Sequence, residues 1–310
     1  MSDACESPAA PGSSNSPVSV AAHDDSNEAV VSAVRQLTRG TAWTVVGKVP
    51  FDFPAYHPQG ITRGHDHRLY VSTAEIVEAT RPYDRPVHGY DRSPGRGVGH
   101  VFVTDTGGAA LGHTTVGEGT VYHPGGIDFD GESLWVPTAE YRPDSHSIVY
   151  RVDPDTLAVH EAFRFDDHIG GIVRDRQTGL LHAVTWGSRR LLTFTTDGHL
   201  THQADNKSHF VDYQTCVTAG SGHMVCTGVA EYPLADAAAF SLGGIAVVDI
   251  QSGRIEHEAP VTALSPNGRV VTYNAVHLEN DGSVLRMFAA PDDGEAPGDS
   301  HLLILETPLA

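Results

Sequence analysis

The sequence predicts an all-β fold, a five-bladed β-propeller of four-stranded blades, from three observations. From Ala42 onward the chain reads as short apolar or alternating runs that end at Gly, Asp or Asn, which is typical of strands joined by turns. No long amphipathic helical pattern interrupts these runs. A motif containing histidine and glycine recurs as Tyr-His-Pro-Gln-Gly-Ile at 56–61, Tyr-His-Pro-Gly-Gly-Ile at 122–127 and Asp-His-Ile-Gly-Gly-Ile at 167–172. Repeats at this spacing indicate the blades of an array.

The N-terminal part of the chain differs from the rest. Residues 1–28 are rich in Ser, Ala, Pro and Asp and have no apolar period, so we predict a disordered N-terminal tail. Residues 29–38 are predicted to form a short helix. A single propeller domain is expected to span 29–310, with blades from about residue 41.

Five units follow from the repeat. The fourth and fifth units begin at Tyr213 and Tyr273, where the motif is more divergent. The predicted second strands are 68–75, 133–140, 180–187, 223–231 and 283–291, and the predicted third strands are 99–104, 147–152, 190–194, 244–249 and 301–305. Most units then turn through Asp and Gly into a fourth strand.

The closure of the ring is predicted because the fifth unit lacks one strand and the N-terminal part of the chain has one to spare. The fifth unit has no fourth strand, whereas 41–48 is a strand ahead of the first unit. We predict that this N-terminal strand completes the last blade, because a borrowed strand joins the two ends of the ring and removes exposed edges. A sixth blade would have to lie in 76–98 or 232–242, but neither segment reads as four strands. We interpret both as loops on one face.

The charge of the chain restricts its partners. It has 20 basic and 39 acidic residues, a formal net charge of −19. Nucleic acids and anionic membranes attract basic surfaces, so neither is an expected partner. No apolar run reaches the roughly 18–20 residues that cross a bilayer, and the N-terminus lacks the layout of a signal peptide. We therefore expect a soluble, cytoplasmic protein, and no pattern predicts its oligomeric state.

The cysteines are too few for a disulfide framework, since the chain has only three. Cys216 and Cys226 could face each other across a tight hairpin. We expect them to be free buried thiols.

The repeated histidines are predicted to share one rim of the propeller. The first strand of each blade lines the central channel and the second runs antiparallel to it, so the start of the first and the end of the second lie at one mouth. His57, His123 and His168 begin first strands. Acidic residues end second strands 17 or 18 residues after the start of the unit: Glu75, Glu140 and Glu231. Trp186 takes the place of the acid in the third unit.

Three or four neutral imidazoles around one point are typical of a site for Zn²⁺, Mn²⁺, Fe²⁺ or Cu²⁺. His277, four residues after Tyr273, is the candidate fourth ligand. The three glutamates could accept the distal ring N–H bonds, or one could act as a general base. The leading hypothesis is a metal-dependent hydrolase or lyase that acts on a small polar substrate, with the ion as Lewis acid.

Substrate-binding candidates follow the acidic positions along the chain. Arg81 and Arg142 lie just after the acids of the first two units, and Arg189 follows Trp186. Their guanidinium groups could hold a carboxylate or a phosphate at the mouth of the channel. We therefore predict substrate contacts from Arg81, Arg142, Trp186 and Arg189, although exposed loop arginines are also compatible with the pattern.

Two other classes of function remain open. Histidines before glycines can be structural parts of a repeat, in which case the propeller would be a binding or scaffold domain without chemistry. A metal-free glycosidase-like site could instead use two of the three rim glutamates, if their carboxyl groups lie about 5–10 Å apart.

Residues 123–136 carry a family resemblance. Their pattern His-Pro-Gly-Gly-Ile-Asp-Phe-Asp-Gly-x-x-Leu-Trp-Val resembles the blades of lactonase, strictosidine-synthase-like and streptogramin-lyase-like propellers. Most of the chain is also similar to a propeller family of unknown function. These resemblances imply the fold and no particular activity.

The ring of histidines with nearby glutamates also resembles the carotenoid-cleaving oxygenases, which hold iron in a propeller. That resemblance implies a histidine–iron oxygenase as a further alternative. It covers the arrangement of ligands only, because those proteins have seven blades and much longer chains.

Overall fold

The computed structural model describes residues 20–218, 220–234 and 237–309. They form a five-bladed propeller of antiparallel four-stranded sheets, which confirms the predicted fold class. The first strand of the second blade is split into two short pieces, so that sheet counts five strands. Alternating apolar side chains pack between neighbouring blades, where burying each Val, Leu or Ile contributes about 1.5–3 kcal/mol.

The elements follow in chain order. A helix precedes the ring: α1 Val20–Val34. The closing strand is β1 Thr44–Pro50, and the first blade is β2 His57–Arg63, β3 Leu69–Glu78, β6 Arg96–Thr104 and β7 Ala110–Val116. Between β3 and β6 the chain forms a separate hairpin, β4 Pro82–Val87 and β5 Tyr90–Arg92. The second blade is β8 His123–Pro124, β9 Asp128–Phe129, β10 Leu134–Ala139, β11 Ser147–Val152 and β12 Val159–Phe165. The third is β13 Ile169–Arg174, β14 Leu181–Thr185, β15 Arg190–Phe194 and β16 Leu200–Asp205.

The last two blades complete the ring. The fourth is β17 Asp212–Thr218, β18 His223–Leu234, β19 Ala237–Asp249 and β20 Ile255–Val261. The fifth is β21 Ala275–Asn280, β22 Val284–Ala290 and β23 His301–Pro308. Two 3₁₀ turns lie at His65–His67 and Trp186–Ser188.

The predicted closure is confirmed. Strand β1 pairs antiparallel with β23, with Lys48 opposite Leu303, and the sheet order is β1-β23-β22-β21. The N-terminal strand therefore supplies the outer strand of the fifth blade. It pairs with the backbone N–H and C=O groups of β23 that would otherwise be exposed at the edge of the sheet.

The N-terminal helix begins earlier than predicted. It covers Val20–Val34 rather than 29–38, so residues 20–28 of the predicted tail are helical, whereas residues 1–19 lie outside the described residues. Val30, Val31 and Val34 bury one face of the helix against the core of the fourth and fifth blades. This tertiary packing, rather than a strong local pattern, stabilises the helix.

The two segments interpreted as loops contain paired strands. Within 76–98, β4 and β5 form a small hairpin. Within 232–242, β18 and β19 extend beyond the blade as a hairpin in which Tyr232 is opposite Phe240. The first is a separate two-stranded sheet and the second lengthens two strands of the fourth blade, so neither adds a blade. The interpretation as loops was wrong because both segments contain paired backbone.

The expectation of free thiols was also wrong. Cys216 and Cys226 are directly opposite each other on β17 and β18, and they form a disulfide. Disulfides persist mainly in oxidising compartments, so this bond does not support the expected cytoplasmic location.

In the part of the chain that the structure describes, no helix has the length and apolar character needed to cross a membrane.

The first strands of the second and third blades touch at the axis of the ring. The N–H of Gly126 donates to the carbonyl of Gly170 at 2.9 Å, and the N–H of Ile172 donates to the carbonyl of Gly126 at 3.1 Å. A Cβ on Gly125 would lie 2.2 Å from the carbonyl oxygen of Gly170, so only glycine allows this approach. The crossing lies between two cavities, one at the starts of the first strands and one at their ends.

Replacing Gly125 with alanine tests this close contact between the two strands. The new methyl group would collide with backbone that cannot move away, so we expect Gly125→Ala to lower the free energy of unfolding by about 1–3 kcal/mol or more. Gly170→Ala is the matched control, because a Cβ there would meet its nearest atom at an ordinary 3.6 Å. Denaturant titration measures both changes, and equal losses would contradict this account.

Candidate functional site

The first cavity lies at the starts of the first strands and has a volume of about 360 Å³. This volume falls in the range typical of small-molecule sites. All five blades contribute polar or aromatic side chains to its walls, among them His57, Gln59, His123, Tyr141, His168, Trp186, Asp212, Glu231, Tyr273 and Asn274.

The structure brings together the three repeated histidines, which we call the histidine cluster: His57, His123 and His168. The ring centroids of His57 and His123 are 5.7 Å apart, and those of His123 and His168 are 6.4 Å apart. His123 and His168 are buried, whereas the ring of His57 is partly exposed.

Two members of the cluster are oriented through Nδ1. Nδ1 of His168 donates to the carbonyl oxygen of Glu140 at 2.9 Å, and Nδ1 of His57 lies 2.8 Å from Oδ1 of Asp293. A carbonyl or carboxylate oxygen only accepts, so in the neutral rings the proton is on Nδ1 and Nε2 keeps its lone pair. Nε2 of His123 is buried without a hydrogen-bond partner among the described residues.

The surroundings of His123 and His168 favour neutral rings. Burial lowers the pKa of His168 to about 4. Burial, followed by the charges of His57 and His168, holds the pKa of His123 well below its usual value. At neutral pH these two rings therefore present lone pairs rather than positive charge.

Asp293 is ionised beside the cluster. Burial alone would raise the pKa of its carboxyl group, but the hydrogen bond from His57 and the charge of Arg269, 3.0 Å away, outweigh burial and lower the pKa. The sequence analysis missed Asp293. The available signal was Pro-Asp-Asp-Gly at 291–294, which directly follows a second strand at the same rim.

Aromatic side chains pack around the histidines. Tyr141 stacks on His123 with ring centroids 4.0 Å apart, and Trp186 meets His168 edge-on at 4.8 Å. Burial, followed by the nearby Tyr273 and Asp293, raises the pKa of Tyr141, so its phenol stays protonated. Trp186 was predicted to line the site. Tyr141, which follows Glu140 directly in the sequence, was missed.

Only one of the three rim glutamates lines the first cavity. Glu231 does so, and its carboxylate makes no ion pair with any described residue. The carboxylate of Glu75 instead lies 3.1 Å from Nε2 of His100. The buried carboxylate of Glu140 accepts from Arg142 at 2.6 Å and from Thr120 at 2.5 Å. The first cavity is therefore lined by one of the three rim glutamates, whereas a glycosidase-like site made from them would need two.

The register of the strands explains this difference. Glu75 is one residue past Ala74, the strand partner of His57, and Glu140 is one residue past the partner of His123. Glu231 is two residues past Val229, which is itself at the cavity wall opposite Asp212. Because side chains alternate between the two faces of a strand, a one-residue difference in register turns the carboxylate away from the cavity.

His277 is not near the cluster. Tyr273 and Asn274 line the first cavity, but His277 lies three residues further along the chain, about 10 Å at the rise of a strand. It lines the second cavity, at the opposite mouth, where its Nε2 is 3.5 Å from Glu279. The expectation that His277 is a fourth ligand with the other three was therefore wrong.

The predicted arginines already have acidic partners. Arg142 is buried against Glu140, with its guanidinium 3.4 Å from the ring centre of Tyr90. Arg189 donates to Asp212 at 2.9 Å. Arg81 is largely exposed and lies 3.8 Å from Glu78.

A single ion on the histidine cluster requires some movement of the rings. Ligand atoms 2.0–2.1 Å from one ion lie roughly 3.4 Å apart, closer than the present cluster allows without inward rotation. Within the described ranges, one group of ligating atoms already lies within 4.8 Å of one another: His223, Asp249 and Glu256. In that group the carboxylate of Glu256 already forms ion pairs with Arg35 and Arg254, so its negative charge is neutralised without a metal ion.

The family comparison covers nearly the whole ring. Residues 21–307 match the family described as "Family of unknown function (DUF6454)". None of the curated proteins compared with the chain matches it.

The solved structures that match the chain are distant in sequence. A luciferin-regenerating enzyme is 13% identical, with a TM-score of 0.48 and coverage of 87% of this chain and 96% of that one. The Neurospora crassa Pan2 WD40 domain is 10% identical, with a TM-score of 0.44 and coverage of 89% and 98%. Kuenenia stuttgartiensis hydrazine synthase is 15% identical, with a TM-score of 0.41 and coverage of 78% of this chain. The chain spans 57% of that hydrazine synthase chain.

The buried neutral histidines predict a loss of stability in acid. The unfolded His168 ring takes up its proton near pH 6.5 and the folded ring only near pH 4, so stability falls as the pH drops between these values. We expect His168→Gln to reduce the drop in unfolding free energy between pH 7 and pH 4.5 by about 2 kcal/mol.

Denaturant titrations at the two pH values measure this drop. His160→Gln, at an exposed position on β12, is the control and should leave it unchanged. If His168→Gln also leaves the drop unchanged, His168 is not held neutral in the folded protein.

Proposed function

We propose a function for this chain, which belongs to the DUF6454 family of unknown function: it is a metal-dependent enzyme whose divalent ion lies in the first cavity. The ion would be held by the histidine cluster, and the substrate would occupy the rest of the cavity. The reaction would be hydrolysis or elimination on a small polar molecule.

One observation carries the proposal. Three imidazoles face one cavity, two of them are oriented through Nδ1 by oxygen acceptors, and Nε2 of His123 is buried without a described partner. Metal-binding histidines typically donate their other ring N–H to a carboxylate or a carbonyl, as His57 and His168 do. Lowered pKa values of His123 and His168 also suit an ion, since only neutral rings can bind one.

The donor set favours a transition metal. Imidazole nitrogen binds Zn²⁺, Fe²⁺, Mn²⁺ and Cu²⁺, whereas Mg²⁺ and Ca²⁺ prefer oxygen. When bound, the ion would supply Lewis acidity to a carbonyl or ring oxygen of the substrate. An oxygenase that uses iron on the same histidines is a variant of this proposal. Bound iron would favour the variant, and bound zinc would oppose it.

The remaining residues of the cavity have separate roles in the proposal. Glu231, the rim carboxylate without an ion pair among the described residues, would take or return a proton as general acid/base. The protonated phenol of Tyr141 would donate a hydrogen bond to a substrate oxygen. Gln59 and Asn274 offer amides that can orient polar groups, and Trp186 gives one flat apolar wall.

A second candidate is a binding propeller whose histidines are structural. The packing favours it in one respect, because Tyr141 covers one face of His123 at 4.0 Å and the rings are spaced more widely than ligands of one ion. In that case the first cavity would bind a small molecule without chemistry.

Metal analysis separates the two candidates. We expect purified protein, after incubation with Zn²⁺ or Fe²⁺ and removal of free metal, to retain about one equivalent per chain. His123→Ala and His57→Gln should each retain less than about 0.2 equivalents, because two imidazoles hold an ion weakly. His160→Ala, an exposed histidine outside the cavity, is the control and should bind as the parent protein does.

Two outcomes of that measurement would overturn the proposal that the protein is a metal-dependent enzyme. One is less than about 0.2 equivalents on the parent protein, and the other is metal that both cluster variants retain. Circular dichroism of each variant distinguishes a lost site from a lost fold.

The acceptor of His57 gives an independent prediction. Replacing Asp293 with asparagine keeps the size of the side chain but weakens the acceptor that orients the His57 ring. We expect Asp293→Asn to weaken metal binding about 10- to 100-fold, as measured by competition with a chelating dye. Asp299→Asn, on the same loop, should leave the affinity unchanged; an equal loss in both variants would contradict the role of Asp293.

A further inference from the structure

The second cavity, at the opposite mouth of the channel, is built differently from the first. It has a volume of about 230 Å³ and lies where the first strands end. Helix α1 forms part of its wall through Asn27 and Val30. Asn280, also at the cavity, donates to the carbonyl of Ala29 at 2.7 Å and so fixes the helix there.

One cation at this cavity is not matched by an acid. Arg176 donates to the carbonyl of Phe129 at 3.1 Å and makes no ion pair within the described ranges. A guanidinium has five N–H donors, so most of those of Arg176 remain available. In a chain with 20 basic and 39 acidic residues, an arginine facing a cavity without an acidic partner stands out.

The other charged groups at this cavity are already engaged. Arg63 pairs with Glu279, and the same carboxylate lies 3.5 Å from Nε2 of His277. Asp128 accepts the backbone N–H of Arg174 at 2.9 Å. The unused N–H donors at this cavity therefore belong mainly to the guanidinium of Arg176, and an anionic group beside it would accept from them.

A second polar atom lacks a partner here. Nδ1 of His277 is buried without a hydrogen bond among the described residues. Its Nε2 lies against the carboxylate of Glu279, so the neutral ring carries its proton there and Nδ1 can only accept a hydrogen bond. His277, which does not reach the histidine cluster, therefore lines a different cavity.

The rest of the wall is apolar. Val30, Phe129, Val217 and Leu278 line the cavity beside these polar groups. An inorganic ion would leave this apolar surface unused, whereas a short hydrocarbon would bury it.

We propose that the second cavity binds a small organic carboxylate, with its carboxylate on Arg176 and its hydrocarbon part against Phe129, Val217 and Leu278. The site is separate from the histidine cluster and does not depend on the function proposed there. Because α1 forms one wall, binding also stabilises the docked helix by mass action.

Calorimetric titration of the full chain with sodium butyrate tests this proposal. We expect saturable binding in the millimolar range or tighter, about tenfold tighter than acetate because two more methylene groups are buried. Arg176→Gln should weaken butyrate binding about 10- to 100-fold, and Arg176→Lys, which keeps the charge, should weaken it less. Arg151→Gln, at an exposed arginine on β11 without an ion pair among the described residues, is the control and should change affinity less than twofold.

Several results would overturn the proposal. One is the absence of saturable butyrate binding up to about 50 mM. Another is unchanged affinity in an Arg176→Gln protein whose circular dichroism is that of the parent. Inorganic phosphate binding as tightly as butyrate would contradict the apolar half of the site, and n-butylamine binding in place of butyrate would contradict the anionic half. His123→Ala should keep butyrate binding, so failure of the metal site and failure of this one are distinguishable.

Discussion

The structure depends on the backbone hydrogen bonds between the first strands of the second and third blades. Because Gly125 has no side chain, these strands approach closely enough at the axis to bond to each other directly. The crossing separates the two cavities and places the starts of the strands at one of them and the ends at the other. It also positions His123 and His168, which stand two residues before Gly125 and Gly170 in the sequence.

Burial sets the chemistry of the first cavity. It removes His123 and His168 from water and lowers the pKa of both, so the cavity presents neutral nitrogen rather than positive charge. Neighbouring arginines do not reverse this, because Arg142 and Arg189 are neutralised by acids that lie beside them. Glu231 therefore stands out as a carboxylate at the cavity without an ion pair among the described residues. The second cavity has the opposite character, since there the charged group without an ion pair in the described part of the chain is the guanidinium of Arg176.

Much of the fold was predictable because it rests on patterns that repeat along the chain. The five blades and the closing N-terminal strand follow from strand periodicity and the need to remove sheet edges. The convergence of His57, His123 and His168 on one mouth was predictable for the same reason, since equivalent positions in a propeller lie around one axis. The full extent of helix α1 was not, because that helix is stabilised by packing on the fourth and fifth blades.

The kind of fold and the rim at which the histidines meet can be predicted from the chain, because both follow from counting repeats. Which acids face the cavity depends on strand register in the folded ring. Glu75 and Glu231 have equal offsets along the chain, yet they differ by one residue in register and so point to different faces. Asp293, which contacts His57 from another blade, and the pairing of Cys216 with Cys226 were likewise decided by strand register and blade packing. Contacts between distant segments depend on how the ring closes, and no local pattern in the chain encodes that distance.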